Sequence, residues 1–178
     1  ASRFRAYSAG SRPKGAVLTH ANVAANVEQT AAWIGGALSE GGETVITALP
    51  LYHIFALTAN LLVFLRLGGR NVLITNPRDL PGLIAELRKT RFTAITGVNS
   101  LYNALLNAEG FAAVPGANGG ALKLAVSGGM AVQRVVAERW QQRMGVTLIE
   151  GYGLTEASPI VCANPLDARE FSGAIGMP

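Results

Sequence analysis

The sequence predicts an α/β fold, a mostly parallel sheet with helices on both faces. Three observations predict it. Short, nearly continuous apolar runs ("TVITAL", "NVLIT", "FTAIT", "LKLAVS", "VTLIE") recur along the chain, as expected of strands buried on both faces. Segments with helical apolar spacing separate them, as crossovers between parallel strands require. Gly, Pro, Asn and Asp punctuate the junctions, where the chain must turn.

The elements follow in order. Residues 1–15 read as an N-terminal arm. In residues 18–35, "LTHANVAANVEQTAAWIG", and just beyond, Val23, Val27, Ala31, Ile34 and Leu38 fall three or four apart. That makes one apolar helix face, with Thr19 as its N-cap. Residues 44–49 read as a strand. Ile54 to Leu67 reads as a helix closed by Gly68-Gly69, the residue type that commonly follows a helix C-terminus. Residues 71–75 read as a strand and Asn76-Pro77 as a turn. Asp79 caps a helix carrying Leu80, Leu83, Ile84 and Leu87, with Pro81 in its first turn. Residues 92–96 are a strand, Asn99 to Asn107 a short helix, and 110–120 a Gly- and Pro-rich loop. Residues 122–127 are a strand, Val132 to Met144 a helix, and 146–150 the fifth strand.

Apolar residues make up 49% of the 178 and charged residues 15%, which suits a filled core and not a disordered chain. The net charge of +4 comes from 15 cations and 11 anions, with no Lys/Arg cluster interleaved with aromatics. Nucleic acid is therefore not an expected partner. Cys162 is the single cysteine, so no intrachain disulfide forms, and a reducing, cytoplasmic setting is expected. The first residues lack the apolar stretch of a signal peptide. The most apolar segment, residues 54–69, offers about a dozen helical residues before Arg66, short of the roughly 20 that span a bilayer.

Ligands of such sheets collect at the carboxyl ends of the strands. The segments there are "PLYH", "NPRD", "TGVNS", "SGGM" and "GYGLTE". The last, Gly151 to Glu156, is the richest. Glu156 is a hard oxygen ligand suited to Mg²⁺ carried by a nucleotide. Thr155 offers a hydroxyl to a phosphate oxygen and Tyr152 a flat face to a base, while Gly151 and Gly153 allow close backbone approach. Other chemistries fit less well. Gly151-Tyr152-Gly153 begins like a dinucleotide fingerprint, but Glu156 stands where the third glycine belongs and would repel a pyrophosphate. Ala125 to Gly129 resembles a nucleophile elbow around Ser127, but that arrangement needs a later His, and His20 and His53 both precede it. Gly10 to Gly15 lacks the Walker spacing, yet Lys14 in a Ser/Gly-rich stretch before a helix suits a phosphate.

These motifs carry a resemblance. "EGYGLTEASP" resembles the adenylate-binding motif of the AMP-forming acyl-CoA synthetases, within the adenylate-forming ligase superfamily. "PKGAVLTHAN" is similar to the tail of that family's phosphate loop, "LPLYHIFALT" to its acyl and adenylate pocket, and "SGGM" to its adenine-side turn. "NPRDLPGLIAELRKTRFTAITGVNSLYNALLN" resembles specifically the bacterial long-chain fatty-acid CoA ligases. The likeness runs from Pro13 to Pro178. It implies part of the large N-terminal domain of that fold, with ATP, Mg²⁺ and coenzyme A as substrates and cofactors and a fatty acid as the acid. A carboxylate would attack the α-phosphate of ATP, giving acyl-AMP and releasing pyrophosphate, and the thiol of coenzyme A would then take the acyl group and release AMP. The resemblance gives Thr155 the α-phosphate and Glu156 the metal. Tyr152 would stack on adenine, with Ser127, Gly128, Gly129, Gly151 and Gly153 shaping that pocket. Lys14 would contact the outer phosphates and His53 the reacting carboxyl. Gly97 and Val98 would line the acyl tunnel.

Two departures qualify the expectation. "YSAGSRPKG" is shorter than the family's phosphate loop and lacks the Thr-Gly before Arg12-Pro13. The later ribose-binding aspartate, and the C-terminal lid domain with its catalytic lysine, have no counterpart. Residues 16–178 are therefore expected to be an internal fragment of the AMP-binding domain, inactive alone and prone to self-association. Its parent would be cytoplasmic, or peripheral at the inner membrane. The alternatives are another acid–thiol ligase, for medium-chain or aryl acids, and a non-catalytic nucleotide- or acyl-binding module.

Overall fold

The computed structural model describes residues 3–8, 14–116 and 119–178. Strands β1 (Arg3–Ser8) and β2 (Lys14–Thr19) pair antiparallel as a hairpin. Residues 9–13, most of the segment that the sequence reading takes as a shortened phosphate loop, lie outside the described residues. Helix α1 (His20–Ile34) starts directly after β2. Thr19 Oγ1 accepts the Asn22 N–H at 3.1 Å and Asn22 Oδ1 accepts the Thr19 N–H at 3.0 Å. This reciprocal pair satisfies donors that the first turn leaves free, a feature worth about 1 kcal/mol. Val27, Ala31, Ile34 and Leu38 are buried, as their spacing predicts.

The main sheet contains β3 (Thr44–Thr47), β4 (Arg70–Leu73), β5 (Ala94–Gly97), β6 (Leu124–Ser127), β7 (Leu148–Gly153) and β8 (Ile160–Ala163), in the order β4-β3-β5-β6-β7-β8. The first five run parallel, and β8 is antiparallel to β7. Val45 pairs with Ala94 and Ala94 with Leu124, while Ala125 pairs with Leu148. Because side chains alternate along a strand, this register sorts the core into two layers. Val45, Ala94, Leu124 and Ile149 pack against α1 and α2 (Val63–Arg66). Ile46, Ile95, Ala125 and Leu148 pack against α3 (Leu80–Lys89), α4 (Asn99–Asn107) and α5 (Arg134–Met144). The predicted parallel sheet with helices on both faces is thus present. Asp79 caps α3 by accepting the Gly82 N–H at 3.1 Å.

The structure corrects the sequence reading in two elements. First, β7 does not end at Glu150. It runs through Gly153 and returns as β8, so the Gly151 motif begins inside a strand and its turn closes a hairpin. The four-residue run of β8 carries no periodic signal of its own, and its strand character comes from pairing with β7. Second, the helix at 54–67 is π-helical over Ala56–Leu62 before α2. Apolar periodicity there disguised a buried polar network. Asn60 Nδ2 donates to Thr47 Oγ1 at 2.9 Å, Thr96 Oγ1 donates to Asn60 Oδ1 at 2.8 Å, and Asn71 Nδ2 donates to the Asn60 carbonyl at 3.2 Å. Such wide turns are rare and recur at functional sites.

Candidate active site

A cavity of about 630 Å³ opens at the carboxyl ends of β5, β6 and β7 and continues down the α1-facing side of the sheet. At the carboxyl edge it is lined by His53, Phe55, Gly128, Gly129 and the run Gly151 to Glu156. Further down, Trp33, Ile34, Phe64, Ala94 and Leu124 form an apolar wall. One space therefore joins a polar mouth to an apolar depth.

The motif is built by strand pairing. Gly151 faces Ala163, Tyr152 faces Cys162 and Gly153 faces Ile160, with an irregularity between Tyr152 and Gly153. Tyr152 remains 45% exposed, so its ring face is open to a ligand. The chain then forms a 3-10 turn at Thr155–Ala157, held by the Leu154 N–H donating to the Pro159 carbonyl at 3.0 Å. Thr155 is half-buried and Glu156 exposed, and both line the cavity. The β1–β2 hairpin lies beside this turn, which brings the strand that begins with Lys14 next to Thr155. The Lys14 side chain is not among those described.

On β6 and the turn after it, Gly128 lies under the Phe55 ring and Gly129 has φ +79°, a conformation that glycine adopts freely. Ser127 is buried, its Oγ makes no hydrogen bond, and it does not line the cavity. His53 Nδ1 accepts the Phe55 N–H at 3.2 Å. A neutral His53 ring therefore carries its proton on Nε2, as a donor. Glu150, just before the motif, is half-buried and does not line the cavity. Burial pushes its carboxyl above the usual range, against the backbone N–H groups of Val132 and Gly173.

Gly97 and Val98 stand at the end of β5 but do not line this cavity. A Cβ on Gly97 would meet Leu101 and Tyr102 at 3.1 Å, on the α4 side, and Val98 packs against the same cluster. The wall is supplied instead by residues that the sequence reading did not single out, among them Trp33, Phe64 and Thr96. A signal for some of them exists in the strands. Ala94 and Thr96, like Leu124 and Val126, are two apart and share a face.

Fold and site together define an α/β domain with a ligand cavity at the carboxyl edge of a parallel sheet. The profile of AMP-binding enzymes matches residues 6–178, and the chain belongs to that family. Over 177 residues it is 54% identical to a long-chain-fatty-acid–CoA ligase of Yersinia pestis and 56% identical to one of Escherichia coli O6:H1. Each match covers 98% of this chain and 31% of the relative, so the chain spans about a third of those curated proteins. The crystal structure of a benzoate CoA ligase from Burkholderia xenovorans LB400 aligns with a TM-score of 0.79 at 28% identity, over 98% of this chain and 35% of that one.

Proposed function

We propose that this chain is part of an ATP-dependent long-chain fatty-acid CoA ligase, whose parent forms acyl-AMP and then acyl-CoA. The observation that carries the reading is the single cavity that joins the Gly151–Glu156 motif to the wall of Trp33, Ile34, Phe64 and Leu124. The adenylate occupies the mouth and the acyl chain the depth.

In this reading Tyr152 stacks on adenine, and Gly128, Gly129 and Gly151 let the base lie close to the backbone. Ser127 supports the adenine-side turn from beneath. The Thr155 hydroxyl donates to an α-phosphate oxygen, where negative charge gathers as the carboxylate attacks. His53, with its proton on Nε2, donates to a carboxyl oxygen and holds the acid in line. Lys14 meets the outer phosphates from β2. Gly97 and Val98 do not line this cavity, so in this reading the acyl chain meets Trp33, Ile34, Phe64 and Leu124 instead. Glu156 fits Mg²⁺, which is typically held by one or two carboxylates plus substrate phosphates. When bound, the metal neutralises phosphate charge.

Coenzyme A completes the reaction in the parent, and the isolated chain is inactive. The same reading places the parent in the cytoplasm or at the inner membrane surface, where fatty acids partition. No helix among the described residues is long and apolar enough to cross a membrane. Self-association of the isolated chain belongs to the reading too.

The test uses the parent carrying Trp140→Phe, which leaves Trp33 as this region's tryptophan. Titrations with MgATP and with a non-hydrolysable acyl-AMP analogue are followed by Trp33 emission. The analogue is expected to bind about 100-fold tighter or more, as mimics of a reacting state do. Equal affinities, or robust acyl-CoA synthesis by the isolated chain, would contradict the proposal.

A further inference from the structure

We propose that Asn26 and Thr58 are positioning residues that hold the Thr155–Glu156 turn in place from outside the hairpin. The inference rests on the reading above, in which that turn meets the phosphates and the metal.

Among the described residues, the backbone bonds of the turn run from Leu154 to Pro159, from Ala157 to Leu154 and from Ser158 to Thr155, all within it, while the β1–β2 hairpin packs beside it. Among the described residues β8 is the last strand of the sheet, and Ile160 has no strand neighbour there on its outer side. Asn26 supplies one. Its Nδ2 donates to the Ile160 carbonyl at 2.8 Å, and the Ile160 N–H donates to its Oδ1 at 3.0 Å. One side-chain amide thus imitates a paired strand. Asn26 is 4% exposed, so water does not compete for these bonds. It is itself fixed on α1, where Nδ2 also donates to Gln29 Oε1 at 3.2 Å and the Asn26 carbonyl accepts from Thr30 Oγ1 at 2.7 Å.

Thr58 makes the second attachment. It is fully buried in the π-helical segment, and its Oγ1 donates to the Ser158 carbonyl at 3.3 Å. Ser158 immediately follows the 3-10 turn and has φ +78°. The turn is therefore gripped at Ser158 by one helix and at Ile160 by another. Helix α1 also begins at the end of β2, the strand that starts with Lys14. A single helix thus sets the distance between the phosphate-loop hairpin and the Thr-Glu turn. Neither Asn26 nor Thr58 lines the cavity, so they act through the turn and not on substrate.

The test compares Asn26→Ala, Thr58→Val and Thr58→Ser in the full-length parent. It measures pyrophosphate release with separate kcat and KM for MgATP and for fatty acid, alongside thermal unfolding. Displacing a catalytic turn by a fraction of an ångström to about 1 Å costs up to about 100-fold. Asn26→Ala is therefore expected to lower kcat/KM for MgATP about 10- to 100-fold while the KM for fatty acid stays within about twofold. Thr58→Val is expected to lower it less, and Thr58→Ser, which keeps the hydroxyl, to restore it. The inference is overturned if the folded variants keep kcat/KM for MgATP. It is equally overturned if the KM for fatty acid rises as much as the KM for MgATP, or if Asn26→Ala and Thr58→Val both fail to fold, since each result means a scaffold role. The underlying reading fails separately, if Thr155→Ala and Glu156→Gln leave pyrophosphate release unchanged.

Discussion

At Gly153 the hairpin leaves no room for a side chain. A Cβ there would sit 2.3 Å from the Pro159 carbonyl oxygen and 3.0 Å from its carbon, both backbone atoms. The strand pair would have to separate, because a rotamer change in a neighbour offers no relief. Gly153→Ala is expected to cost about 2–3 kcal/mol, read as a lower urea midpoint, and to disturb the adjoining Thr155. Gly36 is the control: a Cβ there meets nothing within 4 Å, so Gly36→Ala should stay within about 0.5 kcal/mol. Equal losses at the two positions would refute the steric account. That the motif stands at the carboxyl edge of the sheet was legible from its place after an apolar run. Why Gly153 must be glycine was not, because its obstacle is a backbone carbonyl supplied by the returning chain.

Strands β3 and β6 are tied at their amino ends, opposite the cavity, by a charge pair. Lys123 Nζ lies 2.7 Å from Glu43 Oε1, and the Ser39 N–H donates to the same oxygen at 2.7 Å. The Glu43 side chain is wholly buried, whereas that of Lys123 is 43% exposed. Burial works to raise the Glu43 carboxyl, but hydrogen bonds from Lys123, Thr93 and Ser39, with the Lys123 charge, bring it below its ordinary value of 4.5. A carboxyl depressed in the folded state lends stability above its unfolded value, and that stability is lost as pH falls through the folded one. Chemical melts should therefore show stability declining below about pH 4.5, and Glu43→Gln should flatten part of that decline. Lys123→Met is expected to cost about 1–2 kcal/mol at neutral pH, less than at a fully buried pair because the ammonium keeps part of its water. A Glu43→Gln profile parallel to the parent's would contradict this. Among the helices, α3 and α4 were legible, since both have apolar faces and clear boundaries. β8 and the π-helical turns were not, since one depends on pairing and the other on buried Asn60.

Taken as a whole, the chain presents large apolar side chains on several sides. Leu65, Leu73, Met130, Val135, Ile175 and Met177 are each more than half exposed. Light scattering of the isolated chain at high concentration is expected to give a mass above that of the monomer. A single monomeric mass would remove the expectation. The cavity itself is a property of this scale: α1, the π-helical segment and four strands line it, and no one segment contains it. The sequence by itself determined the parallel α/β class, the caps at Thr19 and Asp79, and the ordered glycine, hydroxyl and carboxylate of the motif. Those features act within a turn of helix or a few strand residues, where spacing alone decides which groups meet. Only the tertiary structure decided that Trp33 and Phe64, not Gly97 and Val98, wall the cavity, and that Asn26 pairs with Ile160 across 134 residues. Packing two helices on one sheet face selects those partners, and no local periodicity records it.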